Sequence, residues 1–354
     1  MEKMTISSGG ITYELWEYVE DYYTMSKTVN PILKKLREGL PTWISKEQYK
    51  KMNVSLWVCN SEIINAFCHY DEDKNTIALS IGLIAALWNE AGEFINQEKL
   101  QILFNISESK KEQYKQTLFL YMLNFIVAHE FGHIAYGHLR EKQGEYHIDE
   151  TKCASNDSCD KRSCKEKWGI QLKEYAADSF AASIQSILFL QRWSTDMKIN
   201  CATFDILFIA NYLCFRVFAE RMGRNFDEYI EKSVEEYDHP HPGVRMHYTS
   251  IHYANWIGSN HGFGEDVINL LESGNHAVIA YEKRILEKNE FKESYFSIAI
   301  TEKGVQHIKN LHNGWQDLID YYNKYAYIPI EKNEKIDSIP FTLDERGNFI
   351  NIKI

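Results

Sequence analysis

The chain has 354 residues, 25% of them charged and 44% hydrophobic, a composition that builds a substantial core and excludes disordered and fibrous classes. Lys and Arg number 39 against 50 Asp and Glu, a formal net charge of −11, which excludes a nucleic-acid partner held through its phosphates. With only 6 Pro and 18 Gly, the chain reads as mostly helical.

The first residues carry acids and tyrosines where a secretory signal would be apolar. Residues 12–40 read as helix, with Tyr13, Trp16, Val19, Tyr22 and Tyr23 at helical spacing, so 1–50 are expected to form an N-terminal helical cover. Strands are expected over 54–58, 63–69 and 76–81, the last two joined by the polar turn 71–75. Helices follow over 82–96 and from about 112 to 139. Residues 140–167 hold many charges and three Cys without apolar periodicity, as expected of an inserted loop. Helical periodicity resumes over 172–192 and 201–222, and again from Arg245 after the Pro-containing stretch 237–245. Toward the C-terminus a strand is expected over 295–300, a helix over 302–325 and short strands near 339–343 and 349–354. The fold class is therefore mainly α with a small β-sheet: a central domain over 51–275 and a small α/β appendage over 276–354. The most apolar stretches, 76–87, 117–128 and 202–219, fall short of the about 20 residues that cross a bilayer, and no stable membrane insertion is expected. Seven Cys, an odd number in a long chain, fit reduced thiols and a cytoplasmic location.

The chemistry concentrates in HEFGH at 129–133. On a helix His129 and His133 stand one turn apart on one face, where two Nε2 atoms can share a metal ion. Glu130 lies beside them, placed to take a proton from an activated water. Catalytic zinc has three protein ligands. On a continuous helix His138 would be rotated by roughly 140° from His133, so it reads as a helix end. Glu174, in EYAADSF, is the better third ligand. Asp178 shares its face and can accept a proton from a ligating imidazole. Cys153, Cys159 and Cys164 are spaced by six and five, unlike a structural zinc site, although His147 could complete a set. Cys59, Cys68, Cys201 and Cys214 read as core.

Four segments in order resemble the gluzincin zinc peptidases, most closely the prenyl-protein endopeptidase family: NAF at 65–67 with TIALSIGLIAAL, FIVAHEFGHIAYGH at 125–138, EYAAD at 174–178 and HPHPGVR at 239–245. In its size and its ExxxD and HP elements the chain also resembles the soluble Lit-like phage-exclusion proteases. The resemblance implies a zincin-like core and a soluble zinc endopeptidase acting on a protein or peptide, with antiviral defence as one setting. Zinc would be held by His129, His133 and Glu174, with Glu130 as base and then acid. It also implies that Asn65 and Ala66 pair their backbone with an extended substrate. His239 and Arg245 read either as donors to the oxyanion or, for His239, as a reversible plug of the open metal position; the alternative is a helix-start loop with a surface Arg. The rival reading from another class is a catalytically silent, zinc-stabilised binding module. A regulatory partner would act through 140–167 or the C-terminal appendage.

Overall fold

The structure is a computed structural model and describes residues 3–8, 11–71, 73–103, 106–141, 148–149, 164–193, 201–221, 239–261, 267–288, 290, 293–294, 296–299, 301–337, 341–343 and 349–351. It is mainly helical with a small mixed sheet, as the composition implies.

The N-terminal cover is not all helix. Strands β1 (Lys3–Ser8) and β2 (Ile11–Trp16) form an antiparallel hairpin, with Lys3 opposite Trp16. Ile11, Tyr13 and Leu15 alternate with Thr12, Glu14 and Trp16, and the Gly9-Gly10 pair between two such runs is the hairpin signal that the helical reading of 12–40 passes over. Tertiary pairing decides the matter, since Leu15 and Trp16 lie opposite Cys59 and Val58. Helix α1 (Ser26–Gly39) buries Val29, Leu33 and Leu36. Helix α2 (Lys46–Met52) starts at a Ser45–Gln48 capping box and ends at Asn53, which takes a left-handed φ of 47°.

Strands β3 (Val54–Cys59), β4 (Ala66–Asp71), β5 (Lys74–Ser80) and β6 (Ile148–Asp149) complete a sheet of order β1-β2-β3-β5-β4-β6. Only β3 and β5 run parallel. β4 begins later than the 63–69 expectation, and the expected loop 140–167 contributes β6 to its outer edge.

Helix α3 (Ile81–Asn96) follows β5 directly, its start fixed by Ser80 Oγ accepting from the Leu83 N–H at 3.0 Å. After α4 (Glu98–Leu103) comes α5 (Lys111–Ala135), in which every residue from Tyr121 to Ala135 is buried. By length and composition the segment Glu108–Ala135 could cross a membrane, but 94% of its most apolar window lies inside the protein, as in a core helix. Helices α6 (Cys164–Trp193), α7 (Cys201–Arg221), α8 (Pro242–His261) and α9 (Val267–Arg284) follow. α6 thus begins well before the expected 172. The expected strand 295–300 is instead a short helix, α10 (Phe296–Ala299); so short an apolar run does not distinguish strand from helix by periodicity. α11 (Glu302–Tyr322) starts at a Thr301 cap, and β7 (Phe341–Leu343) pairs antiparallel with β8 (Phe349–Asn351).

The main core joins one sheet face to α3, α5, α6, α7, α8 and α9, while Ile6, Leu15, Phe67 and Ala78 fill a smaller cluster on the other face. Position 276 lies inside α9. Downstream of it, α11 packs Ile308, Leu311, Trp315 and Tyr322 on Leu172 and Tyr175 of α6 and on Val244 and Tyr248 of α8. The irregular segment after it clips onto the end of α5, with Tyr327 N–H donating to Ala135 O at 2.9 Å and Arg140 Nη1 to Tyr325 O at 2.8 Å.

Helices α5 and α6 cross closely where Gly132 faces Ala177 and Phe180. A Cβ added at Gly132 would lie 3.2 Å from the Ala177 Cα and from the Phe180 Cβ. Gly169, in the first half of α6, would meet nothing within 4 Å. Gly132→Ala is therefore expected to destabilise by about 1–3 kcal/mol through overpacking against backbone, and Gly169→Ala to stabilise by about 0.5–1 kcal/mol through helix propensity. Urea denaturation of the two variants checks the opposite signs.

Candidate metal centre

The crossing at Gly132 sets the site. His129 and His133 project from α5 and Glu174 from α6, and one ligand atom from each lies within 4.8 Å of the others, all buried. The separations are 3.0 Å between the two Nε2 atoms, 3.3 Å from His129 Nε2 to Glu174 Oε2 and 3.4 Å from His133 Nε2 to Glu174 Oε1. Ligands about 2.05 Å from a tetrahedral ion stand about 3.3 Å apart, so this donor set fits a four-coordinate metal ion. Both Glu174 oxygens are buried without a hydrogen-bond partner, as in a carboxylate that serves a cation. Burial works against its charge, but His239, His133 and His129 outweigh it and hold the Glu174 carboxyl well below its usual range.

Each imidazole is oriented through its other nitrogen. His129 Nδ1 lies 2.8 Å from Asp178 Oδ1, which assigns Nδ1 as the protonated nitrogen and leaves the Nε2 lone pair for the metal. Asp178 is saturated. Arg245 donates to it through Nε at 2.8 Å and Nη2 at 2.9 Å, and the Tyr248 hydroxyl donates as well. Burial alone would raise the Asp178 carboxyl, yet Arg245 and His129 hold it down to about 2. His133 Nδ1 has a different partner, His138 Nδ1 at 2.8 Å.

Arg245 is not the oxyanion donor that the HPHPGVR loop suggested. Its Nε and Nη2 are committed to Asp178, and its guanidinium is buried over the Phe215 ring at 5.0 Å, with Nη2 3.5 Å from Glu174 Oε2. It neutralises and positions Asp178. His239 also faces the ligands, with Nε2 3.6 Å from Glu174 Oε1, a place from which either a donor or a plug could act. His241 accepts from the Gly243 N–H at 3.0 Å and starts α8, with Pro242 as its first residue.

Asn65 is committed within the sheet: its N–H donates to Ser80 Oγ at 3.0 Å and its C=O accepts from the Ser80 N–H at 2.9 Å. Its backbone is therefore not the outward-facing pair expected for a substrate. Ala66 is the next residue, opposite Leu79 of β5, and the alternation of an antiparallel ladder turns its backbone groups to the outer edge. There β6 already pairs with Phe67 and Cys68. Glu130 is fully buried, and the charge of its carboxylate acts on the Cys68 thiol of β4. Burial first, and then the charges of Glu130 and Glu174, push that thiol well up, so Cys68 remains S–H.

Sequence pattern alone does not mark Cys68, His138 or Tyr248 as site residues. Cys68 is two residues from Ala66 and shares its face of the strand, and Gly137 after the helix is the signal for a turn that returns His138; Tyr248 follows Arg245 by three, on the same helix face. Cys153 and Cys159, like His147, lie outside the described residues, and Cys164 is the first residue of α6.

Arg245→Ala strands the buried Asp178 charge and is expected to cost about 3–5 kcal/mol. The wild type should show an acid limb that the variant lacks. A carboxyl depressed from 3.8 to about 2 stabilises the fold above its ordinary range and loses that contribution as pH falls towards 2. Urea denaturation from about pH 6 to about pH 2 checks both expectations. No family model matches the chain, and no curated protein or solved structure matches it.

Proposed function

We propose that the chain is a zinc-dependent endopeptidase acting on an extended segment of an intracellular protein. The observation that carries this reading is the arrangement of His129, His133 and Glu174 with spacings suited to a tetrahedral ion, together with a buried carboxylate outside the donor set, Glu130. A purely structural site needs no such group. Zinc is favoured over harder cations because two of the three donors are imidazole nitrogens.

A zinc ion held there would supply a Lewis acid able to lower the pKa of a water to about 7. Glu130 takes the proton of the attacking water on its carboxylate as the new C–O bond forms, and passes that proton to the leaving amine as the C–N bond breaks. His129 keeps its Nδ1 proton on Asp178, whose charge Arg245 and Tyr248 stabilise. His239 donates to the oxyanion from the Glu174 side. The peptide lies along the outer edge of β4 at Ala66, where β6 from the 140–167 excursion must be extended or displaced; this makes the excursion the regulatory element, in keeping with a regulated protease of the phage-exclusion kind.

The second reading is the silent binding module. It is favoured by one observation: the three ligands are almost wholly buried, with His239 close by.

Glu130→Gln separates the two. The peptidase reading expects about one zinc per chain in both forms and a fall in peptide cleavage of at least about 10²-fold in the variant, read by metal analysis beside proteome-wide labelling of new N-termini. Zinc in both forms with no cleavage by either would leave the binding module.

A further inference from the structure

We infer that His138 is a positioning residue for the metal site, a neutral imidazole that accepts the Nδ1 proton of His133 and so holds His133 in the tautomer whose Nε2 can bind a metal ion. The inference rests on the metal-centre reading above. It assigns the site a histidine where a ligating imidazole more often meets a carboxylate or a backbone carbonyl.

The backbone brings His138 there by a turn that continuous-helix geometry cannot anticipate. α5 ends at Ala135, and Gly137 takes φ +73°. The His138 N–H donates to His133 O at 3.0 Å and the Gly137 N–H to Ile134 O at 2.9 Å, the paired bonds of a Schellman motif. A side chain at Gly137 is doubly excluded, by its φ and because its Cβ would lie 2.4 Å from Tyr325 O. The reversed chain sets His138 back over the turn it has just left.

With two Nδ1 atoms 2.8 Å apart, one carries a proton and the other accepts it. If His133 were the acceptor, its own proton would sit on Nε2, which faces His129 Nε2 at 3.0 Å and Glu174 Oε1 at 3.4 Å, and the lone pair needed for a metal would be lost. The Glu174 side chain and both nitrogens of His129 are arranged for the opposite choice, in which His133 donates and His138 accepts. The His138 proton then lies on Nε2. That nitrogen is buried without a hydrogen-bond partner, in an aromatic box of Tyr322, Trp315 and Tyr136 with ring centroids 5.0, 5.7 and 6.1 Å from the His138 ring. Ring faces accept an N–H weakly and exclude water and competing acceptors, so the box favours the neutral tautomer with its lone pair on Nδ1. Two of its three walls, Trp315 and Tyr322, come from α11, which ties the C-terminal segment to the metal centre.

Two variants and two readouts test this. His138→Phe fills the box without an acceptor, whereas His138→Asn offers a carbonyl oxygen near the position of Nδ1. Zinc affinity, measured by competition with a chromophoric chelator, is expected to fall by about 10- to 100-fold in His138→Phe and to be largely restored in His138→Asn, with thermal melting reporting whether each metal-free variant is folded. The second readout needs no metal: in 15N-labelled wild type the His133 ring should carry its proton on Nδ1. Wild-type zinc affinity in a folded His138→Phe, or a His133 proton on Nε2, overturns the inference. Failure of wild type itself to bind zinc would instead overturn the metal-centre reading, and the His133 tautomer would then stand or fall on its nitrogen signals.

Discussion

The close crossing of α5 over α6 at Gly132 is the constraint on which the rest of the site depends. Three donors from two helices can converge on one point only if the backbones approach more nearly than ordinary side chains allow, and here Ala177 and Phe180 occupy the space that a Cβ at Gly132 would need. Glu174 and Asp178 lie one turn apart on α6 and straddle this contact. The crossing therefore delivers both to α5 in one movement, the first to the two Nε2 atoms and the second to His129 Nδ1. A wider crossing would separate the ligand from the residue that sets its partner's tautomer.

Burying this much charge is costly unless each group is answered. Asp178 is answered fully, by four donated hydrogen bonds from His129, Arg245 and Tyr248. Arg245 and Tyr248 both come from the first turns of α8, so the HPHPGVR segment contributes a rigid clamp on Asp178 in addition to placing His239 near Glu174. His241 caps the helix that carries the clamp. Elsewhere in the core Arg216 pairs with Glu90 at 3.0 Å and Tyr212 donates to Glu282 at 3.0 Å. Polar groups are tolerated in this interior where a partner on a neighbouring helix meets them.

Much of this was legible in the sequence, and the failures have physical causes. The HEFGH and EYAAD spacings carry intrahelical geometry, which fixes faces independently of the rest of the fold, so the pairing of His129 with His133 and of Glu174 with Asp178 is legible directly. Residues whose placement depends on a chain reversal are not. His138 was assigned to the far side of a helix that ends before it, although Gly137 marked the reversal. Tyr13 and Trp16 were read as helical because their spacing of three suits a helix, while the edge of β3 that recruits them as strand is supplied from residues more than 40 positions away. Arg245 was read as a surface or catalytic cation because its partner, Asp178, lies on a helix whose packing against α8 no local pattern announces. Asn65 failed as a substrate contact because β4 starts one residue after it, which commits its N–H and C=O to Ser80.

The buried site is also unbalanced in charge. Glu130, Glu174 and Asp178 are three carboxylates within the fold, and Arg245 is a cation paired with the last two. Burial lowers His133 to about 4 and His138 well below its ordinary value, so neither contributes positive charge near neutrality. His129 is driven the other way: burial alone would lower it, but Asp178 and Glu174 raise it well above its ordinary value. A proton on His129 would relieve part of the excess negative charge and would occupy the lone pair that a metal needs. With imidazoles neutral the carboxylates exceed the guanidinium by two formal charges, the charge of one divalent ion. The donor set could hold a metal ion, and a divalent one would balance the carboxylates around it.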